Sequence, residues 1–155
     1  MARRGNNATT RGFLKSVNAW TKATEERSLD AFQEGSKDFY DLLVSVTPRD
    51  TGHLRGSLVA TVNGSDVAAF PTNIDISEGS GRAESYMNID RAKLGDRITY
   101  SYRAIYWKRV NYGFVGRDRL GRYFSQAGQF FVEKAGSQYR SVMRAAATAL
   151  RMKMK

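Results

Sequence analysis

The sequence predicts an α+β domain in which a long N-terminal helix and a C-terminal helix pack on a small antiparallel β-sheet. Three observations predict it. Apolar side chains recur at helical spacing from Phe13 to Val46 and again from Phe131 to Ala149. Between these stretches lie short segments rich in β-formers and bounded by turn residues. No strand is followed by a glycine-rich turn and a helix, so the βαβ alternation of a doubly wound fold is missing. With 155 residues, 41% apolar and 26% charged, the chain suits one core. Residues 13–150 are therefore assigned to a single domain, with a basic arm at 1–12 and a basic tail at 151–155.

Phe13, Val17 and Trp20 open the first helix, and Leu29, Phe32, Ser36, Phe39, Leu43 and Val46 continue it as a seam on one face. A break between Thr24 and Ser28 is compatible with the two series. Glu25, Glu26, Asp30, Glu34, Asp38 and Asp41 fall mostly off the seam, as a solvated acidic face or as a docking surface for a basic neighbour. The helix stops at Thr47, because Pro48 disfavours helical geometry in the residue before it. A strand is expected from Leu54 to Val62, ending at Asn63-Gly64, which adopts positive φ readily. A second strand is expected from Val67 to Ile76, interrupted at Pro71, followed by a flexible tip at Glu78–Gly81. Tyr86–Asp90 reads as a short strand or a loop, and Arg97–Tyr102 alternates as a strand with one buried face. Ala104–Tyr112 supplies one or two helical turns, Gly113–Arg122 a basic glycine-rich loop, and the last helix is Ala-rich near its end. Its Arg151, Lys153 and Lys155 complement the helix dipole or bind a partner.

The +10 net charge is concentrated at the ends. Residues 1–15 are +4, residues 16–102 are −4, and residues 103–155 carry 12 Lys and Arg against 2 Asp and Glu. Such a chain can meet nucleic acid, an acidic protein surface or copies of itself. No run of 18 apolar residues is present, so a cytosolic product without a membrane anchor is expected. His53 is the only histidine and there is no cysteine, which leaves neither a metal set nor a Ser/His/Asp triad. Asp50-Thr51-Gly52 spells the aspartic-protease tripeptide, but Pro48 and Arg49 precede it where those enzymes have a buried apolar strand. Gly113, Gly116 and Gly121 match no phosphate-binding loop. No catalytic, cofactor or metal residue is assigned. The alternative to a structural role is a basic nucleic-acid-binding module. In it Tyr100, Tyr102, Tyr106, Trp107, Tyr112, Phe114, Tyr123 and Phe124, interleaved with Arg103, Lys108, Arg109, Arg117, Arg119 and Arg122, would stack on single strands.

Residues Thr47–Leu58, TPRDTGHLRGSL, follow directly on the long helix. Their Pro48, Asp50, Thr51, Gly52, Leu54, Arg55 and Ser57 form a turn that physical chemistry already makes structural. Pro48 ends the helix, Asp50 accepts a backbone hydrogen bond, Gly52 takes positive φ and Leu54 re-enters the core. Arg55 supplies the charge for an ion pair within or between subunits. The passage resembles the signature of the HK97 gp10-like family of tail-completion, or neck, proteins of tailed phages. So do the strand ending in tyrosines, Ala104-Ile105-Tyr106 leading to Tyr112-Gly113, and Phe130-Phe131 with Ala135, over about residues 15–150. The chain departs from the pattern in a longer 65–97 stretch and at Trp107-Lys108-Arg109, where an acidic residue is common.

The resemblance implies a non-enzymatic virion protein, made in the bacterial host cytoplasm and placed at the head-to-tail junction. It implies a homo-oligomeric ring, sixfold or twelvefold, around the DNA channel. Its partners are then other neck, portal-adaptor or tail proteins, with transient unspecific contact to phage DNA, no membrane and no cofactor. Arg103, Lys108, Arg109, Arg117, Arg119 and Arg122 are the candidate intersubunit or DNA-channel contacts.

Overall fold

A computed structural model describes residues 6–64 and 76–153. The first helix, α1 (Asn6–Val46), is 41 residues long, about 60 Å at 1.5 Å per residue. It begins inside the expected arm and runs unbroken through 24–28. There the Thr21, Thr24 and Ser28 hydroxyls donate to carbonyls four residues earlier at 2.8–3.0 Å, which leaves the backbone ladder intact. It ends where Pro48 requires, with Thr47 N donating to Leu43 O at 3.0 Å.

The last helix, α5 (Phe131–Lys153), lies antiparallel along α1. Phe39 meets Tyr139 edge to face at 5.0 Å, and Gly35 lets Met143 and Ala146 approach the α1 backbone. Ala31 and Thr24 share a cavity wall with Leu150 and Arg151, so α5 runs out near Thr24.

After the turn a single helical turn, α2 (His53–Gly56), precedes β1 (Leu58–Val62). The expected strand from Leu54 thus starts four residues later. Gly52 at φ 86° and Asn63 and Gly64 at φ 55° and 77° take the left-handed conformations read from the sequence. β1 pairs antiparallel with β2 (Ile98–Tyr102), from Leu58 opposite Tyr102 to Val62 opposite Ile98. The even-numbered face packs on α1, where Phe39, Tyr40, Leu43, Leu58, Ala60, Ile89 and Ala135 form the core. Tyr100 Oη donates to Ser36 O at 2.8 Å, and Tyr102 Oη meets Thr47 Oγ1 at 2.6 Å.

The flanking bonds Asn63 N to Arg97 O and Arg103 N to Ser57 O put the odd-numbered residues in hydrogen-bonded pairs. The even-numbered backbone groups therefore point out of the ladder on both sides. On the β1 side three of them have partners. Ala60 N donates to Ser85 Oγ (2.9 Å), Asn88 Nδ2 donates to Ala60 O (2.9 Å) and Tyr40 Oη donates to Leu58 O (3.1 Å). On the β2 side no further strand is added among the described residues.

Ser85 and Asn88 belong to α3 (Ser80–Arg91), which corrects two expectations: the flexible tip is its start, and Tyr86–Asp90 is helical. The buried stripe Gly81, Ser85 and Ile89 carries the four-residue step, and Gly81 brings α3 down onto the Leu58 carbonyl. Residues 67–75 of the expected second strand lie outside the described residues.

A smaller cluster of Leu54, Ala104 and Phe131 holds α4 (Trp107–Tyr112) to the start of α5. The fully buried Asn111 joins them. Its Oδ1 accepts from Val132 N at 3.1 Å and its Nδ2 donates to Glu133, so α5 borrows its N-terminal cap from α4. The expected basic loop is instead half of a hairpin. β3 (Gly113–Arg117) pairs with β4 (Tyr123–Ala127), and Asp118 Oδ1 closes the turn by accepting from Leu120 N and Arg122 N at 2.9 Å. Every β4 residue is exposed. The single sheet expected is therefore two separate two-stranded sheets, within the α+β class predicted.

A Cβ at Gly81 would lie 2.0 Å from Leu58 O, one at Gly56 2.0 Å from Ser77 O, and one at Gly136 would meet nothing within 4 Å. Urea denaturation is expected to show Gly56→Ala and Gly81→Ala destabilised by about 1–3 kcal/mol through overpacking. Gly136→Ala, inside α5, is expected to gain up to ~1 kcal/mol in helix propensity.

Candidate functional site

The turn residues singled out in the sequence come together as one joint. Gly52 turns the chain beside Glu78, with room for a Cβ only at 3.2 Å from the Glu78 Cβ. Thr51 Oγ1 accepts from His53 N at 3.4 Å, the Asx-like contact expected of Asp50. Leu54 is buried, and the buried Ser57 donates to Leu54 O at 2.8 Å. Arg55 does the most. Its Nε donates to Thr47 O at 2.7 Å, its Nη2 to Ser45 O at 3.4 Å and its Nη1 to Glu78 Oε1 at 2.8 Å. The ion pair is therefore within the subunit, between the end of α1 and the approach to α3. Arg49 adds a contact to Glu78 Oε2 at 3.2 Å. The Arg55 hydrogen bond, with Arg49 nearby, holds the Glu78 carboxyl below its ordinary range.

Beside the joint, Pro48, Asp50, Leu54, Tyr106, Val110 and Gln129 line a cavity of about 380 Å³. His53 Nδ1 and Tyr106 Oη are 2.9 Å apart with their rings stacked. Asp50 is the single carboxylate among the lining residues, whereas the protease reading requires two sharing a proton. Among the described residues there is no group of three His, Cys, Asp or Glu placed to hold a metal, and no helix long and apolar enough to cross a membrane.

The six candidate contact residues divide. Arg103 is inward, forked onto Glu84 at 2.8 and 3.2 Å, and Arg122 Nε is paired with Asp118 at 2.7 Å. Arg109 lies 4.5 Å from the Phe114 ring centroid and Lys108 5.8 Å from that of Trp107. Arg117 reaches only Gly121 O at 3.5 Å, and Arg119 is exposed at the hairpin tip. Four of the six thus line the outward side of α4 and the hairpin. Of the aromatics in the alternative reading, Tyr100 and Tyr102 turn into the core, whereas Tyr112, Tyr123 and Phe124 are exposed near these cations. Burial pushes the Tyr100 and Tyr102 phenols up, Tyr102 to about 12, and they serve as hydrogen-bonding groups on α1. Sequence reasoning missed Glu78, Glu84 and Asn111. The two carboxylates sit in a stretch read as loop, and an isolated Asn carries no periodic signal.

Fold and joint together define an α+β domain whose polar cluster is architectural and whose exposed charges lie on both long helices, on α4 and on the hairpin. The chain belongs to the HK97 gp10-like family of bacteriophage tail components. The family model, described as "Bacteriophage HK97-gp10, putative tail-component", matches residues 11–113, from the first helix through the joint to the root of the hairpin. No curated protein and no solved structure matches the chain. A phage tail component is a part of the virion, working in contact with other phage proteins.

Glu78, lowered in the folded chain, contributes stability above the ordinary carboxyl value of 4.5, and this is lost as the pH falls through the lowered value. Thermal unfolding is expected to drop across that acid window, and Glu78→Gln to lessen the drop. Arg55→Ala, which strands the Thr47 carbonyl as well, is expected to cost about 2 kcal/mol at pH 7, measured by urea titration.

Proposed function

We propose that this tail component is a neck protein: a tail-completion subunit that joins head to tail by forming a ring of six or twelve copies around the DNA channel. It performs no catalysis. The observation that carries the reading is the division of exposed charge on a family member. Lys108, Arg109, Arg117 and Arg119 lie outward on α4 and the hairpin, while Asp30, Glu34 and Asp38 are exposed on α1. A ring is built from heterologous contacts, in which one patch of a subunit meets a different patch of the next. A surface divided in this way supports such a contact. Its partners are further neck, portal-adaptor or tail proteins. Contact with passing DNA is transient and unspecific, since strong phosphate binding would slow transit.

Cryo-electron microscopy of the head-to-tail joint is expected to show this chain as a ring at the neck, and its absence from purified virions would overturn the reading. Double-stranded DNA titrations are expected to give only weak binding. A tight complex with a steep salt dependence would argue for the nucleic-acid module instead.

A further inference from the structure

Asn63-Gly64 is the one Asn-Gly dipeptide in the chain. An asparagine followed by glycine is prone to attack on its own side chain, because glycine leaves the next backbone nitrogen unshielded by a Cβ. Both residues are exposed, just past the end of β1, with φ of 55° and 77°. The Asn63 carboxamide is nevertheless held at both of its atoms. Its Oδ1 accepts from Arg97 N at 3.0 Å, and its Nδ2 donates to Asp96 Oδ1 at 2.8 Å. The backbone is held beside it, since Asn63 N donates to Arg97 O at 2.8 Å. Asp96 is fixed in turn. Its Oδ2 accepts from Lys93 N at 2.7 Å, and its own N–H donates to Lys93 O at 3.1 Å.

These bonds oppose the reaction that the dipeptide invites. Attack by the Gly64 nitrogen comes from above the carboxamide plane and makes Asn63 Cγ tetrahedral. Oδ1 and Nδ2 must then leave the plane in which Arg97 N and Asp96 hold them. Departure of Nδ2 as ammonia also requires a proton on that nitrogen, and Asp96 accepts there instead of supplying one. Its hydrogen bond from Asn63, with that from Lys93 N, keeps the Asp96 carboxyl below its ordinary range and therefore ionised.

We propose that Asn63 is a self-modification site under a clamp: when the Asp96–Arg97 corner opens, the Gly64 nitrogen closes on Asn63 Cγ, ammonia leaves, and water opens the resulting succinimide. The Gly64 N–Cγ bond forms as the Cγ–Nδ2 bond breaks, and the Gly64 amide proton departs with the ammonia. Water then adds across one of the two imide C–N bonds, which gives aspartate or isoaspartate at residue 63. No oxidant or reductant is needed. The product does not restore the clamp, because a carboxylate at residue 63 has no proton to donate to Asp96 and repels it. Isoaspartate in addition lengthens the backbone by one carbon between β1 and Gly64. In a virion component, made once and not replaced, such a site records the openings of this corner. The inference is independent of the ring reading.

The test uses the whole chain at mildly alkaline pH. Mass spectrometry of digests reads conversion at residue 63, and enzymatic methylation reads isoaspartate. Conversion in the folded chain is expected to be slower than in urea by about tenfold or more, a ratio set by how rarely the corner opens. Asp96→Ala removes the acceptor of Nδ2 and is expected to raise the folded-state rate about tenfold. Arg55→Ala, which weakens the joint at the other end of β1, is expected to leave that rate unchanged while the chain stays folded. Should Asp96→Ala fail to fold, Asp96→Asn still reads the clamp through an intermediate rate, since it keeps the shape and one accepting oxygen.

Equal rates in the folded and urea-unfolded chain would overturn the proposal. So would a residue 63 that stays intact even in urea, or a folded-state rate untouched by substitution of Asp96. A rise in Arg55→Ala as large as that in Asp96→Ala would assign the reaction to global unfolding and remove the clamp.

Discussion

The fold turns on a single guanidinium. A helix leaves its last carbonyls without partners inside the helix, and α1 ends in a turn where water would otherwise have to satisfy them. Arg55 supplies donors from eight and ten residues further on, to Thr47 O and Ser45 O, and spends its remaining arm on Glu78. The cation also sits at the negative end of the helix dipole. A planar fork reaches three separated acceptors from three different nitrogens, a span that the single nitrogen of a lysine does not have. Because Glu78 lies two residues before α3, the same side chain that ends α1 holds the approach to α3, and β1 lies between the two in sequence.

The second half of the chain repeats the device with different chemistry. Asn111 reaches from α4 to Val132 N and Glu133, so the start of α5 is fixed by a residue outside it, as the end of α1 is. α1 and α5, the two long elements, are thus each anchored at one terminus beside the Leu54–Ala104–Phe131 cluster. Their opposite ends point away from it, with α1 running on past the end of α5, while the hairpin stays beside the joint, where Gln126 shares a cavity wall with Pro48 and Gly52.

Much of this was legible in the sequence where periodicity is enforced by burial. The long helices, the stop at Thr47, the turn glycine and the Ile98–Tyr102 strand follow from seams and turn chemistry that the core demands. The failures have a common cause. α3 starts Ser-Gly after Gly79, with no side-chain cap and no acidic first turn, and its buried stripe is made of Gly81 and Ser85 before Ile89. Such a helix exists because β1 receives it. The hairpin shows no alternation because both faces of β4 are exposed, which left only glycines and arginines to read. Arg55 was legible as an ion-pairing residue and its partner was not, since Glu78 is fixed by three-dimensional closure of a loop 23 residues away in sequence.

The sealed flank of β1 bears on solubility. Exposed strand edges are templates on which sheets grow without limit. Here Ser85, Asn88 and Tyr40 occupy the outward groups of Ala60 and the Leu58 carbonyl, so among the described residues the β1–β2 ribbon is open at β2 and shielded at β1. A ribbon with one receptive side is a chain terminator: two of them meeting edge to edge exhaust each other, and no cross-β stack propagates from the pair. α3 thus shields one flank of a sheet that is two strands wide among the described residues.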